Sequence, residues 1–485
     1  MTPDEFREFG HRLIDWIADY RQTVGERPVF SQAQPGDVKS KLGPVPETPE
    51  SFDAIMADLD QVIMPAMTHW QHPDYYAWFP GNVSLASVLG DLVSTGLGGL
   101  GLSWEACPPL TEVEEHVCGW FADILGLPDP WRGSVIDTAS MGGFLAMVAA
   151  REHASNMSMH HGGMRELGAP LIVYAASTAN TSVKRAVLTA GYGAQNLRFV
   201  PLDSEQAIDA SALAEMVDED IALGRIPAAV VATLGTTGVT AFDPIDAIAR
   251  ITNKHSMWLH VDAAMAGSAA LLPEFAERFE GIERADSISL NPHKWLGTAF
   301  DCSLLFVRNP RRLTGVMSID SSYIPSAESA AHGDLVTQYR DWSVPLGRRF
   351  RAMKLWMHLR IDGLEAIRQR LRRDVENARW LGRQVAAADD WELVVPVRLQ
   401  TVCVRHRPGG DLSALAGPEL DAYTDAWARR LNESGRALVT PDTLDGSRMV
   451  RLSIGAIPTE REDVERLWQN LQWVVSRVQD PAGQR

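Results

Sequence analysis

The chain is predicted to be an α/β protein built on a mainly parallel sheet, with a helical region before it and a smaller α+β domain after it. Three observations carry this expectation. From about residue 133 to 310, strand-like and helix-like runs alternate: SVIDTAS leads into MGGFLAMVAAREHA, LIVYAAS into TSVKRAVLTAG, LRFVPL into SALAEMVDEDIALG, and AAVVATLG into PIDAIARITNKH. Parallel strands need such crossover helices, which cover both faces of the sheet. Two further strand-like runs, in MWLHVDAAMAG and DSISLNPHKWL, extend the series, and SLLFVR after the second is placed to return antiparallel. Beyond about residue 350 the rhythm ends and a different order of elements begins.

Taken from the start, Thr2, Pro3 and Glu5 form a capping box with proline in the first turn, and Phe6, Phe9, Leu13, Ile14, Ile17 and Tyr20 follow at helical spacing. The stretch RPVFSQAQPGDVKSKLGPVPETPE is rich in proline and polar residues and predicts an irregular surface path before SFDAIMADLDQVIMPAM resumes helix. An arm with so little core of its own is expected to clasp another part of the structure or a second subunit. Next, HWQHPDYYAWFPGN to GLSWEACPP is dense in aromatics, Gly and Pro around a helical SLASVLGDLVSTGL. After the βα region, one long helical stretch from FRAMKLWMHL to GRQVAA precedes the strands WELVVPV and LQTVCVRHR. The helix DAYTDAWARRLNES, the strands ALVTP and MVRLSIGA and a last helix EREDVERLWQNLQWVVSRV complete a predicted antiparallel α+β unit. The expected division is an arm over residues 1–84, a large domain over 85–350 and a small domain over 351–485.

Composition narrows the function. With 485 residues, 45% apolar and 22% charged, the chain can bury large cores, and its formal charge of −17 argues against general affinity for nucleic acid or anionic membranes. Cys107, Cys118, Cys302 and Cys403 have no CxxC or disulfide-framework spacing. The acidic start MTPDEFREFG lacks the basic and then apolar regions of a signal peptide, and no apolar run reaches membrane-spanning length, so a cytoplasmic protein is expected.

The chemistry concentrates where two strands end. Asp262 closes the run MWLHVD, and Lys294 sits just past DSISL, at the carboxyl ends where open α/β sheets collect ligands. Singly, an Asp there is more often a helix cap and a Lys more often a solvated charge. Jointly they suit pyridoxal phosphate, an aldehyde that needs a lysine amine to condense with and an acid that keeps its pyridine nitrogen protonated. Thr138, Ala139, Ser140, Gly142 and Gly143 lie at a turn opening a helix, where backbone N–H groups and the helix dipole hold a phosphate dianion. The stretch is neither a Walker A loop nor a GxGxxG motif, which argues against a nucleotide. In the polar segment SIDSSYIPSAESAAHGD, Tyr323 is a candidate proton donor on a closing loop, although most such segments are plain surface loops.

At this point the chain resembles the pyridoxal-phosphate-dependent aromatic L-amino-acid decarboxylases over nearly its whole length. The motifs are MTPDEFREFGHRLIDWIADY, THWQHPDYYAWFP, GLSWEACPPLTEVE, TLGTTG, HVDAAMAG, NPHKWL with FDCS shortly after, and YRDWSVPLGRRFR. The resemblance implies a homodimeric fold-type I enzyme with a swapped amino-terminal arm and an active site at the subunit interface, acting on an aromatic L-amino acid. It implies that Lys294 condenses with the cofactor, Asp262 pairs with the pyridine nitrogen and Ala264 packs against the ring. Ala139, Ser140, Asn291 and His293 would hold the phosphate, and Thr237 would face the ring substituents. Trp78, Phe79 and Pro80, with Leu100 and Leu102 from the partner subunit, would border the substrate side chain, and Tyr323 would protonate the substrate carbon once carbon dioxide leaves. One position departs from the family pattern: where its decarboxylases usually carry a histidine that stacks on the ring, this chain has Asn180. Sister enzymes that convert aromatic amino acids to aldehydes carry Asn there in some lineages, so an aryl acetaldehyde is the alternative product.

Overall fold

Thr2 opens the first helix, α1 (Pro3–Thr23): its side chain accepts the Glu5 N–H and the Glu5 carboxylate accepts the Thr2 N–H, the predicted capping box. A computed structural model of the protein describes residues 1–318 and 336–478. A second helix, α2 (Phe52–Asp58), packs on α1 through the Phe9–Phe52 ring stack at 4.1 Å, the Arg12–Asp53 ion pair at 2.6 Å and a Trp16–Asp60 hydrogen bond at 2.8 Å. The helix expected to run on to Met67 changes winding instead. Leu59–Ile63 is a π turn and Met64–Ala66 a 3₁₀ turn, because Pro65 brings no N–H and its ring crowds the preceding turn. Both helices belong to a compact unit of residues 1–81 and 373–485; residues 82–372 form the other.

The larger unit carries seven strands: β1 (Arg132–Ile136), β2 (Leu171–Ala176), β3 (Leu197–Val200), β4 (Ile226–Thr233), β5 (Trp258–Asp262), β6 (Ser287–Leu290) and β7 (Ser303–Val307). Their order is β1-β7-β6-β5-β4-β2-β3, with β3, β2, β4, β5 and β6 mutually parallel. As expected, β7 returns antiparallel to β6, and it pairs antiparallel with β1 as well. Every residue of β2, β5, β6 and β7 is buried, the signature of a sheet covered on both faces. Helix α3 (Leu85–Leu97) packs against the later helix Ala352–Asp362, and the covering helices are α4 (Pro108–Leu125), α5 (Ala139–Ala154), α6 (Thr181–Thr189), α7 (Ala210–Ala222), α8 (Ile245–Lys254) and α9 (Pro310–Met317). Leu145 and Met147 of α5 and Val187 of α6 pack with Val173, Val231, Trp258 and Leu305 of the sheet in one apolar core.

The long helix predicted after residue 350 is two helices, Ala352–Asp362 and Leu364–Ala387, parted by Gly363 at φ +74°, a left-handed conformation that glycine adopts without steric cost. In the smaller unit, β8 (Trp391–Leu393), β9 (Thr401–His406), β10 (Thr440–Leu444) and β11 (Ser447–Ser453) form an antiparallel sheet in the order β10-β11-β9-β8. Trp427 of the helix Pro418–Glu433 and Leu467 and Leu471 of the helix Arg461–Val475 pack against Val402, Val404, Val450 and Leu452 of that sheet. The strand expected at ALVTP begins later, at Thr440. Leu438 instead exchanges backbone hydrogen bonds with the aromatic segment, donating to the Asp74 carbonyl and accepting from the Tyr76 N–H. Among the described residues, no helix is long and apolar enough to cross a membrane.

Candidate active site

Strands β5 and β6 lie side by side and parallel, with Asp262 in register with Ser289. Asp262 is therefore the last residue of a central strand, 9% exposed, and its Oδ1 accepts the Ala264 N–H at 3.0 Å. After β6 the chain makes a five-residue π turn, Pro292–Leu296, in which Lys294 leaves helical geometry at φ −101°, ψ −117°. That turn is held from several sides. The Arg370 guanidinium donates to the Trp295 and Leu296 carbonyls, both at 2.7 Å, the Ser84 N–H donates to the Gly297 carbonyl at 2.7 Å, and Gly297 closes the turn at φ +102°.

Asn291 ties three elements together. Its N–H donates to the Ala264 carbonyl at 3.0 Å, its carbonyl accepts the Lys294 N–H at 3.0 Å, and its side-chain oxygen accepts the Ala139 N–H at 3.1 Å. The loop after β5, the Lys294 turn and the first residue of α5 thus form one hydrogen-bonded group. Thr138 caps α5 by accepting the Met141 N–H, and Ser140 is exposed in the first turn, where the helix dipole favours an anion. Asn180 caps α6: its Oδ1 accepts the Ser182 N–H at 2.9 Å and its Nδ2 donates to the Thr237 Oγ1 at 3.0 Å. A small cavity lined by Ala139 and Gly143 of α5, Ser182 of α6, Val231 of β4, and His260 and Asp262 of β5 joins these parts.

Two histidines here are neutral at ordinary pH. Burial brings the His293 imidazole down to about 3, helped by the Lys294 charge. Its Nδ1 accepts the Cys302 N–H at 2.9 Å, so the ring proton sits on Nε2 as a donor. Burial brings His260 down to about 4 against the pull of the Asp262 charge, and its Nδ1 lies 2.8 Å from the Ser287 hydroxyl, which also accepts the Trp258 indole N–H at 2.8 Å. A third buried ring, His358, is brought down to about 3. All three bind protons more readily unfolded than folded. Their contribution is complete above the unfolded value near 6.5 and is lost as pH falls toward 4, at about 1.4 kcal/mol per unit and per group. Asp243, raised to about 6 by burial, acts the other way, because its folded form gains from protonation below pH 6. We expect the unfolding midpoint to fall between pH 7 and 5 in calorimetry, and His358→Gln to flatten that slope; a midpoint rising over this range contradicts the assignment.

Leu100 and Leu102 lie between α3 and α4, Leu100 being 64% exposed. Trp78, Phe79 and Pro80 belong to the smaller unit. There Trp78 takes φ +45°, unusual for a bulky residue, and stacks on Trp70 at 5.2 Å while its N–H donates to Thr440. Tyr323 lies outside the described residues. Reading the sequence missed Thr233, His260 and Ser289, although alternation along β5 puts His260 on the face of Asp262.

A strand-end carboxylate, a lysine on the turn after the next strand and a helix N-terminus, on a largely parallel seven-stranded sheet, are the parts of a pyridoxal-phosphate enzyme. Residues 35–407 match the family model described as the pyridoxal-dependent decarboxylase conserved domain. The chain is 36% identical over 484 residues to the aromatic-L-amino-acid decarboxylase of Catharanthus roseus, covering 97% of this chain and 94% of that one. It is 36% identical over 485 residues to the phenylacetaldehyde synthase of Arabidopsis thaliana, covering 97% and 96%. The crystal structure of Oryza sativa TDC with PLP and tryptamine superposes with a TM-score of 0.93 at 34% identity over 98% of each chain. The protein belongs to the pyridoxal-dependent decarboxylase family, and it is a lyase that uses pyridoxal phosphate.

The residues present fit that cofactor. Ser140 is exposed in the first turn of α5, at the amino end where a phosphate gains from the dipole. Neutral His293 offers an N–H, Asp262 is ready for a cationic ring nitrogen, and two buried hydroxyls on the flanking strands, those of Thr233 and Ser289, have no hydrogen-bond partner.

Proposed function

We propose that this protein decarboxylates an aromatic L-amino acid, one of phenylalanine, tyrosine, dopa or tryptophan, to the arylalkylamine and carbon dioxide. The observation that carries the reading is the linkage of Asp262, Lys294 and the start of α5 through Asn291. The names of the relatives support the aromatic substrate. Pyridoxal phosphate, when bound, supplies an aldehyde that condenses with amines and a cationic ring that accepts electrons when a bond to the α carbon breaks.

The chain does the rest. Lys294 would hold the cofactor through its Nζ, Asp262 would face the ring nitrogen, and Ala139, Ser140, Asn291 and His293 would receive the phosphate. Ala264 and Asn180 would lie against the ring, with Thr237 at its substituents. Asp262 keeps one oxygen on the Ala264 amide and so presents the other in a fixed direction. His293 donates without adding a positive charge beside Lys294, since its ring is neutral. Trp78, Phe79 and Pro80, with Leu100 and Leu102 of a second copy, would border the aromatic side chain. Tyr323 would deliver its hydroxyl proton to the α carbon.

A homodimer is part of this reading. On α3, Leu85, Leu89, Leu92, Val93 and Leu97 form an apolar stripe at helical spacing, 39–69% exposed, and Phe6 and Ile14 of α1 are 59% and 44% exposed. Sedimentation at micromolar concentration tests it, and a monomer mass would remove it.

Asn180 favours a second reading, in which the amino acid, oxygen and water give aryl acetaldehyde, carbon dioxide, ammonia and hydrogen peroxide. An Asn bound both to the α6 cap and to Thr237 offers neither ring stacking nor a titratable group. Assays with the four amino acids, with and without oxygen, separate the readings. Amine equal to carbon dioxide without peroxide is expected, whereas aldehyde and peroxide in equal amounts would replace the first reading by the second. Should aldehyde form, Asn180→His is expected to raise the amine-to-aldehyde ratio about tenfold, a barrier difference of only ~1.4 kcal/mol. Losing the cap should cost about 1 kcal/mol of stability.

A further inference from the structure

Three residues stand abreast on β4, β5 and β6. Thr233 is in register with Asp262, and Asp262 with Ser289. Backbone hydrogen bonds lock that alignment, from the Leu234 N–H to the Asp262 carbonyl at 2.9 Å and from the Ala263 N–H to the Ser289 carbonyl at 2.8 Å. In parallel strands, residues in register put their side chains on one face, about 4.8 Å apart. The Asp262 carboxylate thus has a hydroxyl on each side. Thr233 is 4% exposed and Ser289 0%, and neither hydroxyl has a hydrogen-bond partner.

Such groups rarely go unmatched in a protein interior. The surroundings leave them few other partners. Above Ser289 sits Gly142 of α5, so close that a Cβ there would lie 2.3 Å from the Ser289 Oγ, with Ile136 the next neighbour. Beside Thr233, both oxygens of Asp243 are already engaged, by the Thr233 and Ile208 N–H groups. On Asp262, the Ala264 N–H takes Oδ1 only.

We infer that Thr233 and Ser289, whose hydroxyls do not reach the Asp262 carboxylate here, are positioning residues that turn to donate to it when the cofactor binds and so aim it at the pyridine nitrogen. The inference rests on the reading that Asp262 faces that nitrogen. Hydrogen bonds from both flanks favour the charged carboxylate and limit its rotation. The two hydroxyls then matter for holding the cofactor and little for folding without it.

Full-length Ser289→Ala, Thr233→Val and the double variant, freed of cofactor and titrated with pyridoxal phosphate, test this. Unfolding midpoints are measured with and without the cofactor. The apoprotein midpoints should stay unchanged or rise, because each change removes a buried hydroxyl that has no partner. Cofactor affinity should fall about fivefold in each single variant and more than tenfold in the double one. The cofactor-dependent rise in midpoint should shrink in step. Thr233→Ser, which keeps the hydroxyl, should restore affinity. Unchanged affinity, a destabilised apoprotein, or a loss that Thr233→Ser does not reverse would overturn the inference. Asp262→Asn separates the two levels of the argument. If it leaves affinity intact, the reading of Asp262 fails; if it weakens affinity while the hydroxyl variants do not, only the present inference fails.

Discussion

Lys294→Ala should lower turnover by at least about three orders of magnitude, or ~4 kcal/mol of barrier, while leaving the fold in place. Its backbone is fixed independently of its side chain, by the Asn291 carbonyl on one side and the Gly297 N–H on the other. Around it, Arg370 holds the carbonyls of Trp295 and Leu296. These backbone hydrogen bonds remain when the side chain is replaced. Circular dichroism and the unfolding midpoint of the apoprotein are expected to match the parent, and steady-state assays to show the loss. Turnover within tenfold of the parent would mean that another amine does this work.

The second large effect concerns stability. Glu114 of α4, buried, accepts from both terminal nitrogens of Arg348 at 3.0 and 2.6 Å and from the Val135 N–H at 2.8 Å. Arg348, equally buried, also donates to the Val135 carbonyl at 2.8 Å and lies 4.8 Å over the Tyr339 ring, whose hydroxyl donates to the Gly133 carbonyl. This group joins α4, β1 and the chain after the βα region. Glu114→Ala leaves the arginine charge buried without its counter-ion and should cost about 3–5 kcal/mol. Glu114→Ala with Arg348→Met should recover much of that, because the unmatched charge goes too. Urea unfolding of the single and double variants checks both, and a single variant within 1 kcal/mol of the parent would show the pair to be incidental.

Much of the larger unit was legible because covered parallel strands announce themselves as apolar runs such as LIVYAA, each followed by a helical pattern. The capping box of Thr2 and Glu5 and the return of β7 were legible for the same local reason. Asp262 and Lys294 stood out by ending strands. Other features depend on partners far away in the chain. Glu114 and Arg348 are separated by 234 positions. The meaning of Thr233 and Ser289 depends on β4, β5 and β6 being neighbours in that order, which no local pattern encodes. His260 reads as one polar residue in an apolar strand until Ser287 and Trp258 are seen beside it. Gly363 and Pro65 were visible breakers, but the apolar period running through them outweighed the cue. The left-handed backbone of Trp78 has no signal in its residue type, since such a conformation is rare for a bulky side chain.

The attachment point can be tested directly by reducing the holoenzyme with borohydride and locating the added mass by peptide mass spectrometry. The account predicts one pyridoxyl group per chain, on the peptide containing Lys294 and on that residue's Nζ. A pyridoxyl group on any other lysine, with Lys294 unmodified, would contradict it.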